Sequence, residues 1–340
     1  MRPPERVCIV LLTGLGDVIH GLPLVNAMKR AWPDTHITWV VEPMPAAVLA
    51  PHTAIDDVVI FHKKLGARGV AQLARDLNAR PRADVTIDLN IYFKSVWPTV
   101  FSRGRERWSF GRDRARDGVW LFCNRHVPPM PVRHTQDMFL EFLTALGVPA
   151  EPLAWDLQIT AAERAEQQAF VSHLDGRRMV AVVPASANRN KDWIAERYAR
   201  VIDAIEEDFG CRAVLVGGPG GRETAIARDI MDRARAKPLW QMGDGVRRLL
   251  WLIDAASLVI APDTGPVHIA RAMNVPVIGL YGHTNPWRVG PYRWCEHLWV
   301  DRYNEPGAAP DPSLAEPKGG RMALITAEDV ISRIGALWPA

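Results

Sequence analysis

The stretch that most constrains this chain is residues 257–292, where two short apolar runs flank a polar turn. The runs, 258–261 and 275–281, have the length of buried strands. Between them lie Asp263-Thr264-Gly265-Pro266 and then 267–273, which reads as a short helix. Pro266 suits the first helical turn, where a missing N–H costs nothing. Asp263 or Thr264 can cap that helix. The turn therefore falls at a strand's carboxyl end and at a helix N-terminus. Free N–H groups and the helix dipole favour an anion there, and open α/β sheets bind ligands there. His268 stands two residues after Pro266 and can point back toward the same ligand. The plainer alternative is an ordinary βαβ turn in which Asp263 only caps the helix.

The same alternation runs through the rest of the chain. Residues 7–12 read as a strand that ends at Thr13-Gly14-Leu15-Gly16-Asp17, and 18–32 have helical character. Gly14 and Gly16 let the backbone approach a ligand closely. The turn is not a dinucleotide fingerprint, because Ile19 stands where GxGxxG needs its third glycine. Asp17, a carboxylate in the first helical turn, suits general-base work or a helix-start charge, and both readings stay open. Strands at 36–41, 55–61 and 83–88 and a helix at 69–78 follow. Residues 88–95 again place polar groups at a strand end.

From 103 to 133 the chain turns basic, with Arg103, Arg105, Arg107, Arg112, Arg114, Arg116, Arg125 and Arg133. Trp108, Phe110, Trp120 and Phe122 are interleaved. Such a patch suits nucleic acid, an anionic membrane surface, a phosphorylated substrate, or simply a solvated face. An amphipathic helix at 136–146 and a proline-flanked linker at 149–152 close this half. The second half restarts with a capping box, Thr160 and Glu163, before a helix over 161–174. A strand at 179–183 runs into a polar loop holding Ser186, Lys191 and Trp193. A strand at 212–216 ends in glycines, and Glu223 opens the next helix. Thr326 and Asp329 mark the start of a closing helix.

A chain of 340 residues exceeds one ordinary core. The expectation is an α/β fold of two Rossmann-like domains facing a central cleft. The domains are 1–150 and 151–322, and 323–340 forms a C-terminal helix packing back on the first domain. A hydrophobic share of 48% and a net charge of +3 are those of an ordinary globular protein. No apolar run is long enough to span a bilayer, and the N-terminus reads as a first strand rather than a secretory signal. Cys8, Cys123, Cys211 and Cys295 are scattered, which fits reduced thiols in a cytoplasmic protein and no zinc site.

Five segments in order carry a resemblance. They are Gly14-Leu15-Gly16-Asp17-Val18-Ile19-His20 with Leu22-Pro23, then 88–95 with Lys94 and Ser95, then Ser186 with Lys191-Asp192-Trp193. Gly217-Gly218-Pro219 with Glu223, and Asp263-Thr264-Gly265 with His268, Tyr281-Gly282 and Thr284, complete the set. Together they resemble glycosyltransferase family 9, the heptosyltransferases of lipopolysaccharide inner-core synthesis. Asn90-Ile91, His283 and Asn285 replace residues usual in that family.

The resemblance implies a GT-B fold, with the acceptor bound by the first domain and the nucleotide sugar by the second. It implies inverting, metal-independent transfer of L-glycero-D-manno-heptose from ADP-heptose to the Kdo region, closest to the first-heptose enzymes. Asp17 falls on the general base. Gly14, Gly16, Lys94, Arg112 and Arg116 fall to the acceptor. Ser186 and Lys191 fall to the diphosphate and Glu223 to the ribose. Asp263, Thr264, Gly265 and His268 form the donor-binding turn. The implied partners are the donor, an anionic Kdo-lipid A acceptor and the inner membrane, met peripherally from the cytoplasm. No cofactor, metal or nucleic acid is implied. The alternatives are another nucleotide sugar or surface glycan, or a GT-B nucleotide-sugar epimerase. An epimerase leaves Lys94 and the arginine-rich stretch without a task.

Overall fold

Parallel strands, each followed by a helix, account for most of the chain; the computed structural model describes residues 2–243 and 245–338. In the first sheet the strands are β1 (Arg6–Val10), β2 (His36–Val41), β3 (Asp57–Ile60), β4 (Val85–Asp88), β5 (Glu106–Ser109) and β6 (Arg125–His126). Their spatial order is β3-β2-β1-β4-β5-β6, and every pair is parallel. The helices are α1 (Leu15–Ala31), α2 (Pro43–Leu49), α3 (Ala67–Asn78), α4 (Val96–Phe101) and α5 (Thr135–Leu146). The second sheet holds β7 (Met179–Val182), β8 (Arg212–Gly217), β9 (Leu239–Met242), β10 (Leu258–Pro262), β11 (Val277–Tyr281) and β12 (Val300–Asp301). Their order is β12-β11-β10-β7-β8-β9, again parallel throughout. Its helices are α6 (Ala161–Val171), α7 (Ala195–Glu207), α8 (Gly221–Arg233), α9 (Gly245–Ala255), α10 (Gly265–Ala272), α11 (Pro286–Val289) and α12 (Ala327–Leu337).

Helices on both faces bury both sides of a strand, so central strands read as unbroken apolar runs. Every residue of β7, β10 and β11 is buried. The sequence reading assigned no strand between 103 and 133, yet β5 and the edge strand β6 lie there. Their charged residues mask the signal, and both residues of β6 are exposed. Short, charged edge strands resist pairing with other chains.

The contacts divide the chain into two units, Met1–Gln158 and Ile159–Ala340. The division falls beyond the expected linker because that segment is held by the first unit. The Asn26 side chain donates to Ala154 O at 2.7 Å, and His52 Nε2 lies 2.9 Å from Trp155 O. The closing helix has neighbours in its own unit. Ala327, Val330 and Ile334 of α12 lie in one buried cluster with Val201, Ile202 and Ile205 of α7. The apolar stripe of α12 is thus covered by α7, within the second unit. Pro339 and Ala340, also assigned to that closing segment, lie outside the described residues.

Both expected capping boxes are present, at Thr160/Glu163 and Thr326/Asp329. Glu163 also accepts from Arg247 Nε at 2.7 Å. The Arg247 guanidinium, with the Thr160 cap bonds, holds the Glu163 carboxyl down at about 2 from an ordinary 4.5. A depressed carboxyl stabilises the fold above its unfolded value and loses that contribution as pH falls. Substituting Glu163→Gln keeps an N3 side chain that can complete the box but removes the charge. Urea titrations from pH 5 down to pH 2 should therefore show a shallower acid loss of stability in E163Q than in wild type. Parallel curves would mean that the Arg247 pair contributes nothing.

Candidate functional site

In each sheet the strand order reverses direction once, between β1 and β4 and between β7 and β10. Loops leaving the carboxyl ends of two such strands diverge, and the gap between them is where open α/β sheets hold ligands. Most of the residues singled out in the sequence lie at these two reversals, with Arg112, Arg116 and Glu223 after the strands next to them, and each is described within its own unit.

At the first reversal, β1 leads to Gly14 and α1. Gly14 has φ +83°, and a Cβ there would sit 2.2 Å from Asp17 Oδ2. Only glycine fits both constraints. The Asp17 carboxylate therefore folds back over the turn at the third position of α1. Gly16 is the second residue of α1. Across the reversal, β4 ends at Asp88, which is fully buried. Asp88 Oδ1 accepts from the Asn90 N–H at 3.0 Å and from Asn90 Nδ2 at 2.9 Å, and Oδ2 accepts from Thr99 Oγ1 at 3.0 Å. Burial pushes the Asp88 carboxyl up to about 6 despite these bonds. Asn90 Nδ2 also donates to Val10 O at 2.9 Å, and Asn90 Oδ1 accepts from the Leu12 N–H at 3.3 Å. One amide side chain thus ties the end of β4 to the end of β1.

Lys94 follows on the same loop, and its ammonium donates to Thr13 Oγ1. Partial burial and the charge of Lys63 pull Lys94 below the usual lysine value, while Glu42, Asp17 and Asp88 oppose the shift. The Arg116 N–H donates to Ile91 O at 2.6 Å, and its guanidinium lies 6.0 Å from the Tyr92 ring centre. Arg112 is exposed in the turn after β5. Arg114 and Arg133 are less available than the sequence implied, since both bind the buried carboxylate of Glu141.

At the second reversal, β7 runs into the loop holding Ser186. The buried Ser186 hydroxyl donates to Asn188 O at 2.9 Å and accepts from the Asn188 N–H at 3.1 Å. Asn188 then caps a single 3-10 turn, Arg189–Lys191. Lys191 Nζ donates to Asp263 Oδ2 at 2.7 Å, and Thr284 Oγ1 donates to the same oxygen at 2.7 Å. Asp263 is therefore a bridge between three loops. The cap position of α10 belongs to Thr264, in extended conformation and with no side-chain cap bond. Of the two candidates for the cap, Thr264 takes the position and Asp263 does not. Gly265 and Pro266 open α10, and His268 is buried within it. Glu223 stands in the first turn of α8, beyond β8, the neighbour of β7. A Cβ on Gly218 would lie 2.9 Å from Glu223 Oε2, so the glycine run lets that carboxylate fold over its own loop. Among the described residues, no group of three or more His, Cys, Asp or Glu side chains is placed to hold a metal ion.

A lysine, a short helix N-terminus, hydroxyls and two carboxylates suit an anionic group joined to a polyol. Sequence reading missed Arg222 altogether, and it named His20, Gly282, His283 and Asn285 without their partners. Arg222 binds both the Asp192 carboxylate and Ser186 O, bracing the loop that carries Lys191. His283 Nδ1 lies 3.0 Å from Lys318 O, and Asn285 Nδ2 donates to Asp311 O at 2.7 Å and Leu314 O at 3.0 Å. These two departures from the family pattern hold the Pro/Gly-rich segment. Gly282 is required there too, because a Cβ would lie 2.5 Å from Met322 N. The buried His20 reaches Gln136 Oε1 at 3.1 Å and so links α1 to α5. Its partner lies over a hundred residues away, beyond any local signal.

A model of glycosyltransferase family 9 (heptosyltransferase) matches residues 70–308. The chain belongs to glycosyltransferase family 9. This family 9 enzyme is 30% identical over 303 residues to lipopolysaccharide core heptosyltransferase OpsX of Haemophilus influenzae, covering 89% of this chain and 86% of that one. A family 9 glycosyltransferase structure from Veillonella parvula matches with a TM-score of 0.84 at 25% identity, over 98% of this chain and 97% of that one. The structure of E. coli heptosyltransferase WaaC with ADP matches with a TM-score of 0.74 at 22% identity, over 97% and 99%. The fold of this family 9 enzyme is thus the expected α/β GT-B class, built from two Rossmann-like units.

Replacing Asn90 with alanine leaves Leu12 N–H and part of Asp88 unsatisfied in a buried place. Asn90→Ala should cost about 1–3 kcal/mol of stability. Equilibrium urea unfolding checks this, and an unchanged midpoint would mean the amide does not staple the strand ends.

Proposed function

We propose that this family 9 enzyme moves L-glycero-D-manno-heptose from ADP-heptose to the Kdo region of the lipopolysaccharide inner core. The observation that carries the chemistry is the Asp17 carboxylate held over Gly14, at the same reversal as Lys94. Similarity over nearly nine-tenths of the chain to a lipopolysaccharide core heptosyltransferase supports the choice of sugar and acceptor. E. coli WaaC, with which the chain shares its fold, was solved with ADP.

In this reading Asp17 takes the proton of an acceptor hydroxyl as its oxygen attacks the anomeric carbon. The new C–O bond forms opposite the departing diphosphate, so the configuration inverts. The old C–O bond breaks, and ADP leaves with its electron pair. Lys191 lies beside that leaving group and stabilises its growing charge, aided by the N–H groups opening α10. The ammonium of Lys191 now rests on Asp263, so an arriving diphosphate shares it and frees part of the carboxylate for a sugar hydroxyl. Ser186 also serves the diphosphate, Glu223 the ribose, and Thr264, Gly265 and His268 complete the donor turn. Lys94, Arg112 and Arg116, with the backbone at Gly14 and Gly16, meet the anionic acceptor. This charge supply makes a divalent ion unnecessary.

Asp17→Asn should lower turnover by about 10²–10⁴ with ADP affinity retained. Mass spectrometry of Kdo2-lipid A after incubation with ADP-heptose reads this out as the gain of one heptose. Wild-type turnover in D17N would reduce Asp17 to a helix-start charge. No product from this pair, but product from another nucleotide sugar, would overturn the donor assignment.

Lys191→Ala should raise the KM for ADP-heptose and lower kcat, since the cation matters most as the leaving group gains charge. Chelation with EDTA should leave the wild-type rate intact. A rate lost to EDTA and restored by Mg²⁺ would contradict the metal-independent step.

A further inference from the structure

Three consecutive side chains in the turn after β11 bond to different parts of the second unit. His283 meets Lys318 O and the side chain of Asn188, Thr284 meets Asp263, and Asn285 meets Asp311 O and Leu314 O. The turn has little room to shift. A Cβ on Gly282 would lie 2.5 Å from Met322 N, and Asn285 Oδ1 accepts from the Trp287 N–H at 3.2 Å and from Asn304 Nδ2 at 3.3 Å. His283 itself is buried.

The partners of His283 fix its tautomer. Nδ1 lies 3.0 Å from the Lys318 carbonyl, and a carbonyl only accepts, so Nδ1 carries the proton. In the neutral ring Nε2 is then the acceptor, and Asn188 Nδ2 donates to it at 3.4 Å. Asn188 is held in this orientation, because its Oδ1 accepts from the Asn190 N–H at 3.0 Å. Asn188 is also the root of the turn that carries Lys191. The Lys191 N–H donates to Asn188 O at 3.0 Å, and the Ser186 hydroxyl bonds to both the N–H and the carbonyl of Asn188. Arg222 holds the two ends of that loop, at Ser186 O and Asp192, and His283 holds its middle. At the far end of the lysine, the ammonium meets the Asp263 oxygen that Thr284 also holds. Neighbouring residues of one turn thus set both ends of Lys191.

We propose that His283 is a positioning residue for the transfer, holding the Asn188 turn so that Lys191 meets the departing diphosphate. A lysine is a point charge on a flexible four-carbon stem, and it stabilises a leaving group only where the charge develops. Fixing the backbone at the base of that stem narrows where the ammonium can go. His283 touches no substrate in this account and acts through Lys191. It also departs from the residue usual at this place in the family, so the bond to Asn188 is this chain's own. The inference rests on the proposed role of Lys191 at the diphosphate.

The test separates the two ring nitrogens. The amide nitrogen of asparagine stands where Nδ1 stands, and the amide of glutamine reaches one bond further, to the place of Nε2. His283→Asn therefore keeps the bond to Lys318 O and loses Asn188, while His283→Gln keeps Asn188 and loses Lys318 O. His283→Leu loses both. Each variant is titrated calorimetrically with ADP and assayed for transfer from ADP-heptose to Kdo2-lipid A. H283Q should stay close to wild type. H283N and H283L should bind ADP about tenfold more weakly and lose about tenfold or more in kcat, with the KM for Kdo2-lipid A unchanged. In a Lys191→Ala background H283L should add no further loss, because the histidine acts through that lysine. Should all three variants lose function, that background decides, and full additivity there would overturn the proposal. So would H283N intact beside H283Q impaired, which would leave only the hold on the Pro/Gly-rich segment, or three variants that match wild type. Unchanged ADP affinity in K191A itself would remove the donor-loop reading and this inference with it. Weakened ADP binding in K191A with none in H283L would remove this inference alone.

Discussion

The placement of the candidate site depends on the parallel pairing of β1 with β4 and of β7 with β10. A parallel ladder forces each connection to cross over the sheet, so all loops that follow strands emerge at one end. Where the strand order reverses, neighbouring loops turn away from each other and leave a gap. Asp17 and Lys94 owe their common location to the first reversal, and Lys191 and Asp263 to the second. Asn90 reinforces the first by bonding to both strand ends, and Asp263 reinforces the second by joining three loops.

Glycine and carboxylate are coupled in both units. Gly14 leaves room for Asp17, and Gly218 for Glu223. In each case a carboxylate from the first turn of a helix folds back over the preceding loop. The missing side chain of the glycine gives it space. Asp88 contrasts with these. It is buried, its carboxyl is pushed up to about 6, and its work is to hold Asn90 and Thr99. One carboxylate beside the turn is presented, and another behind it is structural.

The arginine-rich segment shows how charge count misleads when geometry is missing. Arg114 and Arg133 are consumed by Glu141, and Arg103 by backbone carbonyls of Leu77 and Arg80. Of the rest, Arg116 lies beside the Tyr92 ring and Arg107 donates to Phe122 O.

Sequence by itself determined the α/β class, since apolar runs alternating with capped helices admit few other packings. It also determined the turns that carry Asp17, Ser186, Lys191, Glu223 and Asp263, because strand ends and helix starts are local features. The capping boxes at Thr160 and Thr326 were legible for the same reason. Tertiary structure alone decided which turns meet. The bonds Lys191–Asp263, Thr284–Asp263, Asn90–Val10 and His20–Gln136 join residues far apart in the chain, and nothing local encodes them. It decided that α12 packs on α7, since an apolar stripe states that it must be covered but not by what. It decided likewise that Trp108 is buried while Trp97 is exposed. A tryptophan reads the same in sequence either way, and its fate is set by whether a strand or a surface helix carries it.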